Sequence, residues 1–405
     1  MKCDVAIIGG GPAGATAGNL LAQEGIRTII VEKSAFPRFH IGESLLPCDA
    51  PVFERLGVKL EPAAFLRKNG ADFIDEGSER QETYLFSDGL KGSASQAWQV
   101  DRARFDHMLL ERATEVGSIV FQNERITSVE IDDSSVRLQT THREIEARYV
   151  IDASGQDAFF ARRNRSVRPI KGFGRAAVFC HFQGISAHIS RELATSGNIR
   201  ILLVPEGWVW VIPLMSGRLS VGVVSRAQGV NTFLLDKVIE RSVLIRRLTE
   251  GAARTKATVI RNFSYINQRS HGARYACIGD SACFLDPVFS SGVSLAMLGA
   301  AHVADILIPA LRGNEEGRSD LLAEHTQHMV HGYKAFGALI HSFYHTSLAA
   351  NLFFAKEVNE DMRAGLISML AGDIWRPDNR FQNSLAQSAR RQPDIVWDSS
   401  PGSFY

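Results

Sequence analysis

Residues 5–32 read VAIIGGGPAGATAGNLLAQEGIRTIIVE, and this stretch sets the architecture predicted for the N-terminal part of the chain. The apolar run Val5–Ile8 predicts a buried strand, and Pro12–Glu24 predicts a helix with proline in its first turn and Gly25 after its last. Ile26–Val31 predicts a second strand. A strand, a glycine-rich loop, a helix and a further strand predict a Rossmann-like βαβ unit within an α/β fold.

The glycines of this loop have the spacing Gly9-x-Gly11-x-x-Gly14, directly after the strand and at the start of the helix. In that position backbone amides can approach a pyrophosphate, and the helix N-terminus stabilises its negative charge. Glu32 ends the next strand, where a carboxylate can accept hydrogen bonds from a ribose hydroxyl. The sequence therefore predicts a dinucleotide site, and these residues alone leave both FAD and NAD open.

Two later strands also end in small and acidic residues. Arg148–Ile151 precedes Asp152-Ala153-Ser154-Gly155, and Tyr275–Ile278 precedes Gly279-Asp280-Ser281-Ala282. An elongated cofactor with a polyhydroxy chain would need contacts of this kind beyond the first loop. Strand-end caps have the same composition, so both interpretations stay open at this point.

Between these strands the hydrophobic pattern changes to period-two alternation, which is typical of half-buried strands. It is found in Ser128–Thr140, Ile199–Val204, Trp208–Leu214 and Arg218–Ser225. We predict a second, antiparallel sheet inserted into the first domain. From about Val293 onward the pattern is helical.

The composition argues against several classes of protein. The 405 residues contain 45 Lys and Arg against 44 Asp and Glu, so the formal net charge of +1 argues against a nucleic-acid partner. The five cysteines contain no C-x-x-C pair, which argues against a disulfide framework or a metal site and favours a cytoplasmic location. His325, His328 and His331 recur at three-residue spacing, and we interpret them as solvated or pocket-lining side chains rather than metal ligands.

No membrane span is predicted. The N-terminal apolar run is too short for a signal peptide. The long apolar stretch Tyr333–Phe354 is interrupted by Lys334, His341, His345 and Asn351, which would place several polar groups in hydrocarbon. This stretch is interpreted as a buried or lid helix.

Five separated segments resemble FAD-dependent monooxygenases of the para-hydroxybenzoate hydroxylase type: Gly9–Glu32, Phe39–Ser44, Val100–Asp106, Asp152–Gly155 and Gly279–Pro287. The resemblance covers most of residues 1–300 and implies bound FAD, with Glu32 on the adenosine ribose and Asp280 on the ribityl chain. Ser281 departs slightly from this family, which more often has alanine there. The residues that the resemblance assigns to the cofactor are Gly9, Gly11, Pro12, Ala13, Gly14, Glu32, Lys33, Gly42, Glu43, Ser44, Arg102, Asp280, Pro287, Gly292 and Val293.

Three further motifs resemble flavin-dependent halogenases. Gly207–Pro213, GWVWVIP, matches the pattern G-W-x-W-x-I-P, and residues 284–292 match the pattern F-x-x-P-x-x-S-x-G. Residues 65–73, FLRKNGADF, look like the segment that carries the catalytic lysine, here Lys68, in halogenases acting on phenols and pyrroles. Each motif alone has a structural explanation: a buried aromatic pair, a flavin-contact loop and a surface lysine. Their agreement favours a halogenase.

The halogenase resemblance implies a reaction and its partners. A separate flavin reductase supplies FADH2, O2 forms the C4a-hydroperoxide, and chloride or bromide attacks it to give hypohalous acid. A tunnel leads this oxidant to Lys68, where a phenolic or pyrrole substrate, free or tethered to a carrier protein, is halogenated. The implied halide site is Ser291 and Gly292. The implied tunnel residues are Trp208, Trp210, Pro213, Phe284 and Ser290.

The predicted organisation is a discontinuous, Rossmann-like FAD-binding domain over residues 1–330, followed by a helical C-terminal region and tail over residues 331–405. The substrate-side sheet segments are placed at about residues 60–100 and 170–265. Three alternatives stay open: an aromatic hydroxylase with Lys68 at the surface, a flavin-dependent reductase of the geranylgeranyl reductase kind, and a non-catalytic flavoprotein that acts by binding.

Overall fold

The structure, a computed structural model, describes residues 1–226, 228–345, 353–354 and 359–390. Its first sheet has the strand order β20-β21-β11-β1-β2-β7. These strands are β1 (Val5–Ile8), β2 (Thr28–Val31), β7 (Ile119–Phe121), β11 (Tyr149–Asp152), β20 (His271–Gly272) and β21 (Tyr275–Cys277). All pairs except β20–β21 are parallel, and β1 lies at the centre, so the predicted Rossmann-like sheet is confirmed.

Three helices cover one face of this sheet and form a core with it. Helix α1 (Pro12–Gln23) packs against α3 (Arg102–Glu115) and α8 (Ser291–Gly313). Helix α8 is the one described helix that is long and apolar enough to cross a membrane, and 61% of its most apolar window is buried inside the molecule. Its apolar residues thus contribute to the core beside α1.

The second sheet is large and lies beside the first. Its strands are β4 (Gly70–Asp75), β5 (Arg80–Leu85), β13 (Arg175–Gln183), β14 (Ile199–Val204), β15 (Gly207–Leu214), β16 (Arg218–Arg226), β17 (Ala253–Arg254) and β18 (Thr258–Arg261). The predicted inserted sheet is confirmed, and its pairs are antiparallel except β4–β14. Alternation of apolar residues is the same in both kinds of pair, so the sequence pattern could not distinguish them.

The segment Ser128–Thr140 was expected in this second sheet, and that prediction is wrong. The segment forms β8 (Ile126–Ile131) and β9 (Val136–Thr140), which join β10 (Glu144–Ala147) in a separate three-stranded sheet. Its apolar side chains pack against the outer face of the parallel sheet. The remaining small sheets contain β3 (Leu66–Lys68) with β6 (Ala97–Gln99), and β12 (Val167–Pro169) with β19 (Tyr265–Asn267) and β22 (Cys283–Phe284).

The remaining described helices are α2 (Ala50–Leu56), α4 (Phe159–Arg163), α5 (Ala187–Ser196), α6 (Thr232–Arg241), α7 (Val243–Thr249), α9 (Ala323–His345), α10 (Glu360–Leu370) and α11 (Arg380–Arg390). The first part of the apolar stretch Tyr333–Phe354 is helical in α9, and its Phe336, Leu339 and Ile340 are buried in a core shared with the second sheet. Asn351 and the predicted tail beyond residue 390 lie outside the described residues.

Candidate active site

A cavity of about 580 Å³ lies where the carboxyl ends of the parallel strands meet the second sheet. This volume is in the usual range for small-molecule sites, and the position is typical of ligands in open α/β sheets. The predicted cofactor residues that line it are Gly9, Gly11, Pro12, Ala13, Glu32, Lys33, Gly42, Glu43, Ser44, Arg102, Asp280, Pro287, Gly292 and Val293. Gly14 does not line it.

The glycine loop and the start of α1 line this cavity with Gly9, Gly11, Pro12 and Ala13. Gly11 precedes the first turn of α1, and no side chain caps the helix there. A Cβ built on Gly11 would have only the end of the Arg38 side chain nearby, at 3.3 Å, whereas one on Gly14 would overlap the carbonyl oxygen of Gly9. Gly11 therefore leaves room for a ligand, and Gly14 allows helix and loop to pack closely.

The Glu32 carboxylate is held by the loop backbone at the end of β2. Its oxygens accept hydrogen bonds from the Gly10 amide at 2.8 Å and the Ser34 amide at 2.9 Å, and its side chain lines the cavity. Each carboxylate oxygen retains a lone pair for a further donor. An uncapped helix N-terminus with a fixed carboxylate one strand away fits the pyrophosphate and ribose of FAD.

Arg102 lines the cavity, but most of its hydrogen bonds are made to other groups of the protein. Its guanidinium forms a bidentate pair with Asp106, at 2.7 and 2.9 Å, and also donates to the carbonyl oxygens of Ile41 and Gly42. The donors are largely used within the protein, so Arg102 holds the segment 39–44 in place against the cavity.

The two strand-end motifs differ in their roles. Asp152 accepts hydrogen bonds from the amides of Ser154 and Phe160, so this carboxylate caps its own loop. The Ser281 hydroxyl donates to the carbonyl oxygens of Asp152 and Ile278 and ties β11 to β21, which gives the serine a structural reason. Asp280 lines the cavity, and burial raises the pKa of Asp280 to about 7.

Trp208 and Trp210 form an aromatic wall of the same cavity, with ring centroids 6.0 Å apart. Trp208 Nε1 donates to the Tyr344 hydroxyl at 2.8 Å, and that hydroxyl donates to the buried Asp286 carboxylate at 3.1 Å. Burial raises the pKa of Asp286 to about 7. Helix α9 thereby fixes the orientation of one indole ring.

The prediction that Pro213 belongs to this wall is wrong. Side chains alternate along β15, so Trp208, Trp210 and Ile212 face the cavity while Val209 and Val211 pack into the core on the opposite face. Pro213 is two residues after Val211, so it lies on the same face of the strand as Val209 and Val211, and it does not line the cavity.

Gly222 makes room for the second indole. It lies opposite Trp210 in the β15–β16 register, and a Cβ on Gly222 would overlap the indole ring. We expect Gly222→Ala to push Trp210 out of position and to destabilise the protein by about 1–3 kcal/mol, measured by urea unfolding. Gly174→Ala is the matched control, because a Cβ on Gly174 meets nothing within 4 Å. Equal stability of the two variants would contradict this role.

The segment after β22 borders the cavity close to the aromatic wall. Phe284, Ser290 and Gly292 line it, as does Pro287. Ser291 is the first residue of α8, and its buried side chain does not line the cavity, so the predicted halide pair is represented there by Gly292 alone.

Lys68 lies outside the cavity lining, at the end of β3, with a side chain that is 1% exposed. Its ammonium donates to the Leu45 carbonyl oxygen at 2.9 Å and lies 5.2 Å from the centroid of the Phe86 ring. Among the described residues, Asp49 is the carboxylate that acts electrostatically on this ammonium, and no ion pair joins the two side chains. Burial lowers the pKa of Lys68 to about 7, and Asp49 and Cys48 act against this shift.

This burial predicts a pH-dependent stability. Because the pKa of Lys68 is lowered from 10.5 to about 7, the folded protein binds fewer protons than the unfolded chain between these values, and its stability rises with pH across that window. The Lys68→Met variant has no titratable side chain at this position and therefore lacks this contribution to the pH dependence of stability. We expect the variant to gain stability relative to the parent at about pH 7 and to lose that advantage by about pH 10. Urea unfolding at both pH values tests this, with exposed Lys59→Met as the control; a pH-independent difference would contradict it.

Several residues near these sites were not identified as functional candidates from the sequence. Asp49 and Cys48 lie on the segment that receives the Lys68 hydrogen bond, and burial raises the pKa of Asp49 to about 6. Tyr344 lies within the apolar stretch Tyr333–Phe354, which was interpreted as a buried or lid helix without a role for this residue. His181, on β13, bonds to Glu43 but has no motif around it. Only the apolar context of Asp49 and the position of Tyr344 in a helical stripe could have drawn attention to them.

The three histidines predicted to be solvated or pocket-lining belong to α9, where His328 and His331 are exposed, whereas His325 is buried against α8 and does not line the cavity. His325 Nδ1 is 3.3 Å from His302 Nδ1, and the His328 ring stacks on Trp375. Among the residues that the structure describes, no group of three His, Cys, Asp or Glu side chains is arranged to hold a metal ion.

Comparison with known proteins adds the family. Residues 2–330 match the FAD binding domain family. The chain is 32% identical to a 1H-pyrrole-2-carbonyl-[peptidyl-carrier protein] chlorinase from Pseudomonas fluorescens, over 92% of this chain and 89% of that protein. It is also 32% identical to a tryptophan 2-halogenase from Chondromyces crocatus, over 96% of this chain and 79% of that protein.

Solved structures show the same architecture. A flavoprotein/dehydrogenase from Cytophaga hutchinsonii has a TM-score of 0.85 and 28% identity, covering 96% of this chain and 99% of that one. The flavin-dependent brominase Bmp2 has a TM-score of 0.81 and 26% identity, covering 97% of this chain and all of that one. With the FAD-binding fold, the halogenase motifs and these relatives taken together, the chain belongs to the flavin-dependent halogenases, enzymes that share this FAD-binding domain.

Proposed function

We propose that this enzyme halogenates an electron-rich aromatic ring, a phenol or a pyrrole, by delivering hypohalous acid to Lys68. The observation that carries the proposal is the burial of Lys68 outside the FAD cavity, with only the Leu45 carbonyl oxygen as a hydrogen-bond acceptor among the described residues. A surface lysine, which the hydroxylase alternative requires, would be solvated. Burying a lysine without an ion pair is costly, so a functional reason for it is favoured.

The cofactor and the small reactants have separate roles in this proposal. Reduced FAD, supplied by a separate flavin reductase, provides the two electrons with which O2 is activated to oxidise chloride or bromide. The glycine loop and Glu32 hold its pyrophosphate and ribose, and Gly292 with its neighbours supplies small residues and free amides for a halide. Trp208 and Trp210 separate the cavity from the acceptor ring, so that the ring is halogenated rather than hydroxylated.

Lys68 acts on the oxidant through its terminal nitrogen, either as the protonated ammonium or as the neutral amine. A pKa of about 7 makes both the ammonium and the amine accessible near neutral pH. The ammonium can donate a hydrogen bond to hypohalous acid and polarise it, and the amine can accept halogen to form a haloamine. When the ammonium polarises hypohalous acid, the ring proton and the hydroxide leave together as water. When a haloamine forms, water is released in that step, and the amine nitrogen takes up the ring proton as it gives the halogen to the ring.

The pyrrole branch is supported by relatives that act on carrier-bound pyrroles. The chlorinase from Pseudomonas fluorescens and a 1H-pyrrole-2-carbonyl-[peptidyl-carrier protein] brominase from Pseudoalteromonas luteoviolacea, 30% identical over 96% of this chain, are named for this substrate. We propose a carrier-tethered pyrrole as the first acceptor to test and free phenols as the second.

The test is a substrate panel with the purified enzyme, FAD, NADH, a flavin reductase and bromide. Carrier-tethered and free pyrroles and phenols are incubated separately and analysed by mass spectrometry. The proposal expects brominated product that requires the reductase. Rapid flavin reduction by NADH without the reductase would instead support the hydroxylase, and turnover without oxygen would support a reductase.

A further inference from the structure

A histidine–glutamate pair joins the two sheets at the edge of the FAD cavity. Glu43 belongs to the segment that Arg102 holds, and its Oε1 lies 2.7 Å from Nε2 of His181 on β13. The pair therefore connects a loop of the FAD-binding part to a strand of the second sheet. Glu43 also lines the cavity.

The second oxygen of Glu43 has no partner among the described residues. Oε2 is buried, and the side chain as a whole is 3% exposed. Buried carboxylate oxygens are normally hydrogen-bonded, because leaving one without a donor is unfavourable. Because Glu43 lines the cavity, a turn of its carboxyl group would bring this unpaired oxygen to a donor that occupies the cavity.

His181 connects the pair to solvent and to the aromatic wall. Its side chain is 12% exposed, and the exposed Phe39 packs edge-on against the imidazole with ring centroids 5.6 Å apart. It shares a face of β13 with Phe179, which lines the cavity. Ser220, directly across on β16, accepts a hydrogen bond from Trp210 Nε1. The pair thus lies between solvent and the cavity, next to the indoles.

The overall reaction needs a proton from outside the cofactor. With X⁻ as the halide, FADH2 + O2 + X⁻ + H⁺ gives FAD + HOX + H2O. Oxygen is reduced by two electrons from FADH2 and two from the halide, and FADH2 supplies only two of the three protons on the products. One proton per turnover must therefore reach the cavity from the protein or solvent.

We infer that His181 and Glu43 form a proton relay that carries this proton from solvent to the cavity, an inference that rests on the proposed halogenase function. His181 takes up a proton at Nδ1 and passes the proton on Nε2 to Oε1 of Glu43, and rotation of the protonated carboxyl group then delivers that proton to the occupant of the cavity and leaves the carboxylate. The charged or titratable groups on the segments next to the pair are Arg102 with Asp106, Arg218 with Asp101, Arg254 with Asp236, the exposed Lys256, and His40.

Four variants test the relay: Glu43→Gln, Glu43→Ala, His181→Asn and, as a matched control, Glu111→Gln. The control removes the carboxylate of a comparable histidine–glutamate pair, His107 with Glu111, on the surface of α3. For each protein we measure the FAD dissociation constant by fluorescence quenching, the melting temperature, and bromination as a function of pH.

The relay predicts that Glu43→Gln retains its melting temperature and its FAD affinity within about threefold, while bromination falls by roughly 10²-fold. In Glu43→Ala, added formate or acetate restores bromination in proportion to the acid form present. His181→Asn loses the pH dependence of the parent, and Glu111→Gln behaves as the parent does. Because the carboxamide has the shape of the carboxyl group, Glu43→Gln remains informative if Glu43→Ala does not fold.

Three outcomes would overturn the inference. A loss of FAD affinity that accounts for the loss of rate would make Glu43 a cofactor contact. Failure of small acids to restore a folded Glu43→Ala would make the pair a structural link between the sheets. Parent-like bromination by both Glu43→Gln and His181→Asn would exclude the relay while leaving the halogenase function intact. Failure of the parent enzyme to brominate any acceptor would instead count against the proposed function itself.

Discussion

Replacing Lys68 by methionine is expected to remove nearly all halogenated product, by roughly 10²- to 10⁴-fold, while FAD binding and oxygen consumption continue. Methionine fills a similar volume in the buried site but can neither donate to hypohalous acid nor accept halogen. The oxidant should then escape, and an added trap such as monochlorodimedone should collect it. Product is measured by mass spectrometry, and free oxidant by bleaching of the trap.

The Lys68→Arg variant distinguishes a requirement for positive charge from a requirement for an amine that can lose its proton. Lys68→Arg keeps a cation, but a guanidinium stays protonated and has a planar shape that differs from the compact ammonium at the Leu45 carbonyl oxygen. We expect it to fail as Lys68→Met does. Lys59→Met, an exposed substitution in the same part of the chain, serves as the control and should retain full product. Normal product from Lys68→Met would remove the lysine from the mechanism.

Gly11→Val is expected to weaken FAD binding by about 100-fold or more without unfolding the protein. The new side chain would enter the space where the pyrophosphate approaches the backbone, and in the protein itself it meets only the flexible end of Arg38. Gly14→Val should lower stability as well, because its Cβ would overlap the Gly9 carbonyl oxygen.

Fluorescence titration with FAD and thermal unfolding together test the glycine loop. Gly11→Val should have a parent-like melting temperature with little cofactor bound, whereas both quantities should fall in Gly14→Val. Gly174→Ala is the control for a glycine substitution that meets no neighbour. Full FAD affinity in Gly11→Val would show that this loop does not hold the pyrophosphate.

The features that could be predicted from sequence are those that depend on local order. A strand, a glycine loop and a helix follow one another within residues 5–32, so the βαβ unit and the location of its amides follow from spacing alone. Trp208 and Trp210 are two residues apart, which places both indoles on one face of a strand. The same rule excludes Pro213 from the wall, and applying the alternation to the whole motif would have shown this.

The features that could not be predicted depend on contacts between distant segments. Glu43 and His181 are 138 residues apart, and nothing in either sequence neighbourhood indicates that their side chains meet. Whether Ser128–Thr140 joined the second sheet depended on which face it packs against, since its alternation suits any half-buried sheet. The burial of Lys68 likewise follows from the segment around Leu45, which precedes it by 23 residues.

The central claim is that the acceptor ring receives halogen and not oxygen, and one measurement tests it most directly. The enzyme is supplied with reduced FAD, bromide and ¹⁸O2, and the mass of the product is determined. The proposed function predicts a product that contains bromine, recognised by its paired isotope peaks, and no ¹⁸O. A product that gains ¹⁸O and lacks bromine would contradict it and identify a hydroxylase.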